Sequence, residues 1–307
     1  MKRKTRLGSL GSRRIGFILL VLRASANAAE EKPFMSFFNP PATPIALEEH
    51  ASYTSAAMKI KVGYNVYLPP GYGDSGNTNH YPVIYWLHGR GCSESTDQFP
   101  VATVDGAIRS HVIPPLIFVY ASGGGMSFYS DSIDGQWLAE TTIIKELIPY
   151  IDTTYRTIAA RSGRAIQGMS MGGFGALKLA LKYPELFSSV VAFAGGYRSA
   201  EGIQADEISR VILKRVFGGD TQQFMANHPA TIAQANAAAV RNRVAIKMLV
   251  GLDDYLLSNN RSMHATLTEL NLLHEYWEIP GIKHDLPRLS EWIGSAGLQF
   301  AARHFSP

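Results

Sequence analysis

The run Ala165-Ile166-Gln167-Gly168-Met169-Ser170-Met171-Gly172, followed by Phe174-Gly175-Ala176-Leu177-Lys178-Leu179-Ala180, decides how this chain folds. An apolar, strand-like stretch gives way to a helical one across a serine with glycine two residues to either side, the pattern of a nucleophile elbow. The spacing has a physical cause. So tight a turn strains the serine backbone, and a Cβ at either flanking position would collide with the neighbouring strand or helix. The hydroxyl is thereby raised at the C-terminal edge of a sheet. The helix that starts after it aims unpaired N–H groups at the place where an oxyanion would form.

Gly-x-Ser-x-Gly also arises in ordinary turns, so its context carries the reading. The chemistry requires the chain order serine, acid, histidine, with each partner just beyond a later strand. Val244-Ala245-Ile246-Lys247-Met248-Leu249-Val250 reads as a buried strand and ends in Gly251-Leu252-Asp253-Asp254-Tyr255-Leu256, which offers two acids. A helical stretch over Arg261–Leu272 follows, then the alternating run His274-Glu275-Tyr276-Trp277-Glu278-Ile279, and Pro280-Gly281-Ile282-Lys283-His284 turns out of it. His284 is thus expected at a loop tip on the same edge as Ser170. In such a set the histidine accepts the serine proton during attack and returns it to the leaving group, while the acid fixes the imidazole tautomer. One oxyanion donor is expected from the N–H of Met171, the residue after the serine. The second is assigned to the N–H of Arg90, in the glycine-rich exit of the strand-like run Tyr81-Pro82-Val83-Ile84-Tyr85-Trp86-Leu87.

Further segments match in combination: Val66-Tyr67-Leu68-Pro69-Pro70-Gly71-Tyr72, Trp86-Leu87-His88-Gly89, Ser127-Phe128-Tyr129-Ser130-Asp131, Glu146-Leu147-Ile148-Pro149-Tyr150-Ile151-Asp152 and Thr154-Tyr155-Arg156. With the serine run, they resemble the esterase D and feruloyl or acetyl esterase family of α/β-hydrolases, and are similar to its mycolyltransferase branch. The resemblance runs from about Lys61 to His284. It implies an α/β-hydrolase fold, a mostly parallel sheet with helices on both faces. In that family the acid stands three residues after the strand-ending glycine, which selects Asp254 over Asp253. The implied activity is hydrolysis of carboxylic esters through an acyl-serine intermediate, on small-molecule or carbohydrate-linked acetyl or hydroxycinnamoyl esters. No cofactor or metal is expected. The resemblance leaves open acyl transfer to a sugar hydroxyl, an S-formylglutathione hydrolase-like thioesterase, and a non-catalytic binding protein on the same fold.

The N-terminus carries a separate message. Lys2, Arg3, Lys4, Arg6, Arg13 and Arg14 precede the apolar run Ile15–Leu22, and Ala26-Asn27-Ala28 follows as a small-residue cleavage site. Residues 1–28 read as a secretory signal peptide, since a membrane span needs about 18 or more apolar residues. Ser12-Arg13-Arg14 hints at twin-arginine export. The expectation is an exported protein with no stable membrane anchor. The full chain has a net charge of +4, but seven of its 29 Lys and Arg and none of its acids lie within residues 1–28. The remainder therefore holds 22 basic against 25 acidic residues, a net −3 that gives no support for nucleic-acid binding.

Residues 29–44, rich in proline from Pro33 to Pro44, read as an extended leader, and 45–307 as one esterase domain. Cys92 is the only cysteine, so no internal disulfide is available, and a small buried apolar role is favoured over a reactive one. His88 is expected to order the loop it precedes, His274 to be structural, and Gly123-Gly124-Gly125 to form a turn near the active face. The segment Gly195–Arg243, with helical periodicity over Glu207–Phe217, interrupts the strand-helix alternation as pocket-shaping insertions do. Trp137, Tyr129 and Tyr255 are aromatic candidates for the cleft, with core packing as the competing reading.

Overall fold

Runs such as Val83–Leu87, Ile117–Ala121 and Ser189–Phe193 are apolar at consecutive positions, the pattern of strands covered on both faces. In the computed structural model, which describes Met1 and residues 34–306, they sit at the centre of one eight-stranded sheet. Its strands are β1 (Glu49–Thr54), β2 (Lys61–Tyr67), β3 (Val83–Leu87), β4 (Ile117–Ala121), β5 (Arg164–Met169), β6 (Ser189–Phe193), β7 (Ala245–Gly251) and β8 (His274–Ile279), in the order β1-β2-β4-β3-β5-β6-β7-β8. β2 runs antiparallel to both β1 and β4, and β4 to β8 are parallel. Residues 1–28, which the sequence reads as a signal peptide, lie, apart from Met1, outside the described residues.

The helices are α1 (Val101–Arg109), α2 (Ala139–Thr141), which continues through a π-helical segment Thr142–Leu147 into α3 (Ile148–Thr154), α4 (Met171–Lys182), α5 (Glu207–Phe217), α6 (Thr221–Ala226), α7 (Pro229–Val240), α8 (Leu257–Glu269), α9 (Leu286–Ile293) and α10 (Ala296–Ala302). They cover both faces. α1, α9 and α10 bury Val104, Leu289 and Leu298 with Trp86, Phe118 and Phe193, while α3, α4, α7 and α8 bury Ile151, Leu177, Ala233 and Met263 with Tyr85, Ile166 and Met248. Among the described residues no helix is long and apolar enough to cross a membrane. Of the leader, residues 34–44 form no strand or helix but pack on the domain. Met35 and Phe37 are buried, and the Phe37 carbonyl accepts from Gly63 N–H at 2.7 Å.

The order of strands places the site. From β3 the chain crosses through α1 to β4 on one side, and from β5 through α4 to β6 on the other. The direction of winding reverses between β3 and β5, and a crevice opens outside their C-terminal ends. The exit loop of β3, from His88, and the β5–α4 turn, at Ser170, both end there. They approach so closely that a Cβ on Gly172 would fall on the Leu87 carbonyl oxygen. The helix expected over Arg261–Leu272 instead spans Leu257–Glu269, because Leu270 caps it and Asn271 turns out with a positive φ of 52°.

Two glycine-to-alanine changes should therefore move stability in opposite directions. Gly172→Ala is expected to cost about 3 kcal/mol or more, by forcing β3 and α4 apart. Gly106→Ala in α1, where an added Cβ meets nothing within 4 Å, should stabilise by about 0.5–1 kcal/mol. Thermal or denaturant unfolding of the two variants beside the wild type checks both.

Candidate active site

Ser170 occupies the turn between β5 and α4 with φ 59° and ψ −115°. That conformation is unfavourable for a residue with a side chain and persists only when its surroundings fix it. Here they do. Ser170 N–H donates to the Phe193 carbonyl at 2.9 Å, and the Ser170 carbonyl accepts from Gly196 N–H at 2.8 Å and Phe174 N–H at 3.0 Å. The strain expected from the sequence is present, and the hydroxyl is left partly exposed.

The other two side chains arrive from the ends of β7 and β8. Asp254 lies three residues beyond the end of β7, its side chain buried. Its Oδ1 accepts from Leu256 N–H at 2.8 Å, and its Oδ2 lies 2.8 Å from His284 Nδ1. The neighbouring Asp253 is exposed, and its N–H donates to the Ile282 carbonyl at 3.0 Å. That bond ties the acid loop to the histidine loop. A Cβ on Gly251 would strike the same Ile282 carbonyl, so the two loops pack backbone against backbone. His284 Nε2 is 2.9 Å from Ser170 Oγ. An ionised carboxylate can only accept, so the proton belongs on Nδ1, and Nε2 accepts from the Ser170 hydroxyl. Ser170, Asp254 and His284 thus form one hydrogen-bonded line, although 114 and 30 residues separate its successive links.

At the β3 exit, Gly89 N–H donates to Asp97 Oδ2 at 2.6 Å, Gly91 N–H to the Gly125 carbonyl at 2.7 Å, and Cys92 N–H to the Gly89 carbonyl at 3.3 Å. The Arg90 amide is not among the donors of this loop. Met171 opens α4, where the first backbone N–H groups have no acceptor within the helix. The Arg90 side chain goes elsewhere, with Nη1 3.3 Å from Ser209 Oγ and 3.7 Å from Asp206 Oδ1 at the start of α5.

His88 is fully buried, and its Nδ1 lies 2.9 Å from the Gly89 carbonyl while Nε2 accepts from Gly123 N–H at 3.2 Å. Burial lowers its pKa and keeps the ring neutral, so it joins the β3 exit to the Gly123–Gly125 turn. Cys92 is half-buried, and burial followed by the nearby Asp97 charge pushes its thiol up to about 11, far from a reactive thiolate. Of the aromatic candidates, Tyr255 borders this line of side chains, with its ring centroid 4.8 Å from that of His284 and 62 % of its surface exposed. Tyr129 is entirely buried, because its ring fills the space left by Gly123 and Gly175. Trp137 is half-buried and packs on Phe34, 5.6 Å between centroids.

Sequence reasoning passed over a buried ionic group behind the site. The Lys178 side chain is fully buried on α4, and its Nζ lies 2.7 Å from Glu140 Oε2, donates to the Tyr129 carbonyl at 2.9 Å and reaches Ser130 Oγ at 2.7 Å. The Tyr129 hydroxyl in turn donates to the His88 carbonyl at 3.0 Å. The helix that follows Ser170 is thereby wired to the loop expected to carry the second oxyanion donor. Burial pushes the Lys178 ammonium down to about 8 against the pull of Glu140. No pattern in the sequence isolates it, because α4 is buried at every position from Met171 to Leu181 and so has no polar face against which a core lysine would stand out.

A family model for esterases matches residues 55–292 of the chain. Esterase Rv1288 of Mycobacterium tuberculosis is 36 % identical over 148 residues, 47 % of this chain and 31 % of that protein. An endo-1,4-beta-xylanase/feruloyl esterase of Xylanibacter ruminicola is 38 % identical over 150 residues, 46 % of this chain and 20 % of that protein. The S-formylglutathione hydrolase of Bos taurus is 30 % identical over 165 residues, 48 % of this chain and 56 % of that protein. The chain therefore spans between a fifth and just over half of the length of these relatives. Among solved structures, a ferulic acid esterase superposes with a TM-score of 0.70 at 25 % identity, covering 84 % of this chain and 98 % of that one. An S-formylglutathione hydrolase from Staphylococcus aureus superposes with a TM-score of 0.69 at 19 % identity, covering 83 % of this chain and 98 % of that one, a likeness of fold alone.

The buried ion pair sets a pH dependence. Burial works to raise the Glu140 carboxyl, but Lys178, with help from Lys182 and Tyr183, outweighs it and holds it down at about 2, from the usual 4.5. A carboxyl with a lower pKa folded than unfolded contributes stability that is complete above its unfolded value and is lost as the pH falls through its folded one. Glu140→Gln should therefore be less stable than the wild type at pH 7, by about 3 kcal/mol. Denaturant unfolding as a function of pH should show that gap closing between pH 4.5 and 2. A gap that does not change with pH would mean the carboxyl is not held ionised by its neighbours.

Proposed function

The chain belongs to the esterase family of α/β-hydrolases, and from that premise we propose that it hydrolyses carboxylic esters through an acyl intermediate on Ser170. The observation that carries the reading is the continuous line Asp254 Oδ2, His284 Nδ1, His284 Nε2, Ser170 Oγ, with links of 2.8 and 2.9 Å. A serine hydroxyl is a weak nucleophile until a base takes its proton. As Ser170 Oγ attacks the acyl carbon, its proton passes to His284 Nε2, and Asp254 stabilises the resulting imidazolium. The carbonyl oxygen gains negative charge as the carbon becomes tetrahedral. The N–H groups of Met171 and Arg90 receive that charge, with the N-terminal end of α4 behind them.

Collapse of this intermediate expels the alcohol, which takes the proton from His284, and leaves the acyl group on Ser170. Water then repeats the sequence. His284 removes a proton from it, hydroxide adds to the acyl carbon, and the acid departs as Ser170 regains its hydrogen. One ester and one water yield one acid and one alcohol.

For substrate we propose carbohydrate-linked acetyl or hydroxycinnamoyl esters, with small soluble esters as the alternative. The feruloyl esterase among the relatives and the ferulic acid esterase among the folds support it. Export directed by residues 1–28 favours a polymer-linked ester over a cytosolic glutathione thioester. Exposure of Tyr255 beside His284 fits a sugar ring on the alcohol side.

A fluorophosphonate probe should label the wild type and fail to label Ser170→Ala; absence of labelling in both would refute the acyl-serine reading. Asp254→Asn should lower kcat on p-nitrophenyl acetate by roughly three to four powers of ten, since the wrong tautomer is then held toward Ser170. Asp253→Asn should change it little. Equal losses would point to a structural role for the whole loop. Release of ferulate from methyl ferulate and of acetate from acetylated xylan ranks the acyl classes.

A further inference from the structure

At the N-terminal ends of β6, β7 and β8, the end of the sheet away from Ser170, the surface folds inward into a cavity of about 630 Å³. That size suits a small molecule. The seven residues of β7 separate it from Asp254 by roughly 20 Å. Its floor is apolar, built from Val240 at the end of α7, Leu272 before β8 and Phe300 of α10. Leu273 stands at its edge with 85 % of its surface exposed, a large apolar side chain with nothing over it among the described residues.

The walls are basic. Arg161, Arg241, Arg243 and Arg303 line the cavity from three separate stretches of chain. The one acid lining it among the described residues, Glu275, is held by Lys247 at 2.6 Å, with Arg303 a more distant partner at 3.5 Å. Arg161 Nη1 and Arg241 Nη2 each donate to a backbone carbonyl, of Arg243 and Leu270, which pins the loop after α7 without neutralising either charge. The Arg243 side chain has no hydrogen-bond or ion-pair partner among the described residues. Beyond residue 28 the chain carries a net charge of −3, so four arginines around one hollow reverse the sign of the field locally. His304, also on the wall, responds to that field, its pKa lowered by burial and then by Arg303.

We infer that this cavity is a second binding site, separate from the esterase site, for a small amphipathic anion with a carboxylate or phosphate head on an apolar tail or ring. Guanidinium groups bind both heads through paired charge-assisted hydrogen bonds. The apolar floor takes the body, and the edge at Leu273 guides a longer tail.

The test uses the full chain carrying Ser170→Ala, so that no signal arises from acylation, titrated with the fluorescent probe 1-anilinonaphthalene-8-sulfonate. Saturable one-site binding is expected, displaced by decanoate or decyl phosphate and not by 1-decanol; the better competitor of the two anions identifies the head group. Double charge reversal, Arg241→Glu with Arg243→Glu, should weaken the probe at least tenfold. The same reversal in the chain that keeps Ser170 should leave p-nitrophenyl acetate hydrolysis unchanged. Arg303→Glu, on a different element, must give the same loss of binding and serves if the double variant does not fold. Binding that fails to saturate, that 1-decanol displaces equally well, or that survives charge reversal overturns the proposal.

Discussion

Where α4 leaves β5, its first turn lies so close to the end of β3 that position 172 has no room for a side chain. Everything at the candidate site follows from that contact. It brings the exits of two adjacent parallel strands within reach of each other, and the two proposed oxyanion donors, the backbone N–H groups of Arg90 and Met171, stand on those exits. It also fixes the strained backbone of Ser170, whose own hydrogen bonds run to Phe193, Phe174 and Gly196. The strain is local and the bonds that hold it are ordinary, so a sparsely populated conformation is maintained by the sheet around it.

A second constraint lies one layer deeper. Desolvating an ammonium and a carboxylate costs several kcal/mol for each ion, and their attraction offsets this only when the geometry is good and the remaining donors are used. Lys178 meets the condition, with partners in Glu140, Ser130 and the Tyr129 carbonyl. The return is orientation more than stability. Phe128 and Tyr129 both adopt a positive φ of 50°, and a buried cation on the carbonyl of one of them holds the loop in that shape. Tyr129 then passes the constraint to the His88 carbonyl, at the root of the loop that bears Arg90.

The line of three side chains was legible in the sequence because each member follows a strand that announces itself. Consecutive apolar residues marked β5 and β7, and the alternation over His274–Ile279 marked β8 to the residue. The helix Glu207–Phe217 was equally plain, since its apolar period is 3.6 and Gly218 stops it. Other features had no local signal. The ionic partners Lys178 and Glu140 are far apart in sequence, and nothing near Glu140 marks it as buried. Tyr129, Trp137 and Tyr255 could not be separated in advance, because residue type does not distinguish a ring in a cleft from a ring in the core, and Tyr129 takes the core place. The π-helical turn at Thr142–Leu147 reflects a one-residue shift in hydrogen bonding that composition does not encode. The basic cavity is assembled from distant stretches, so no window of sequence contains it.

α4, buried at every position from Met171 to Leu181, serves two masters. Its N-terminus fixes the turn that carries Ser170, and two turns later Lys178 braces the loop on the opposite bank. Drift in this helix is therefore doubly penalised, since a change that relieved one duty would disturb the other. Variation that spares both duties is left to positions off this helix and its packing partners, such as the exposed Tyr255 beside His284.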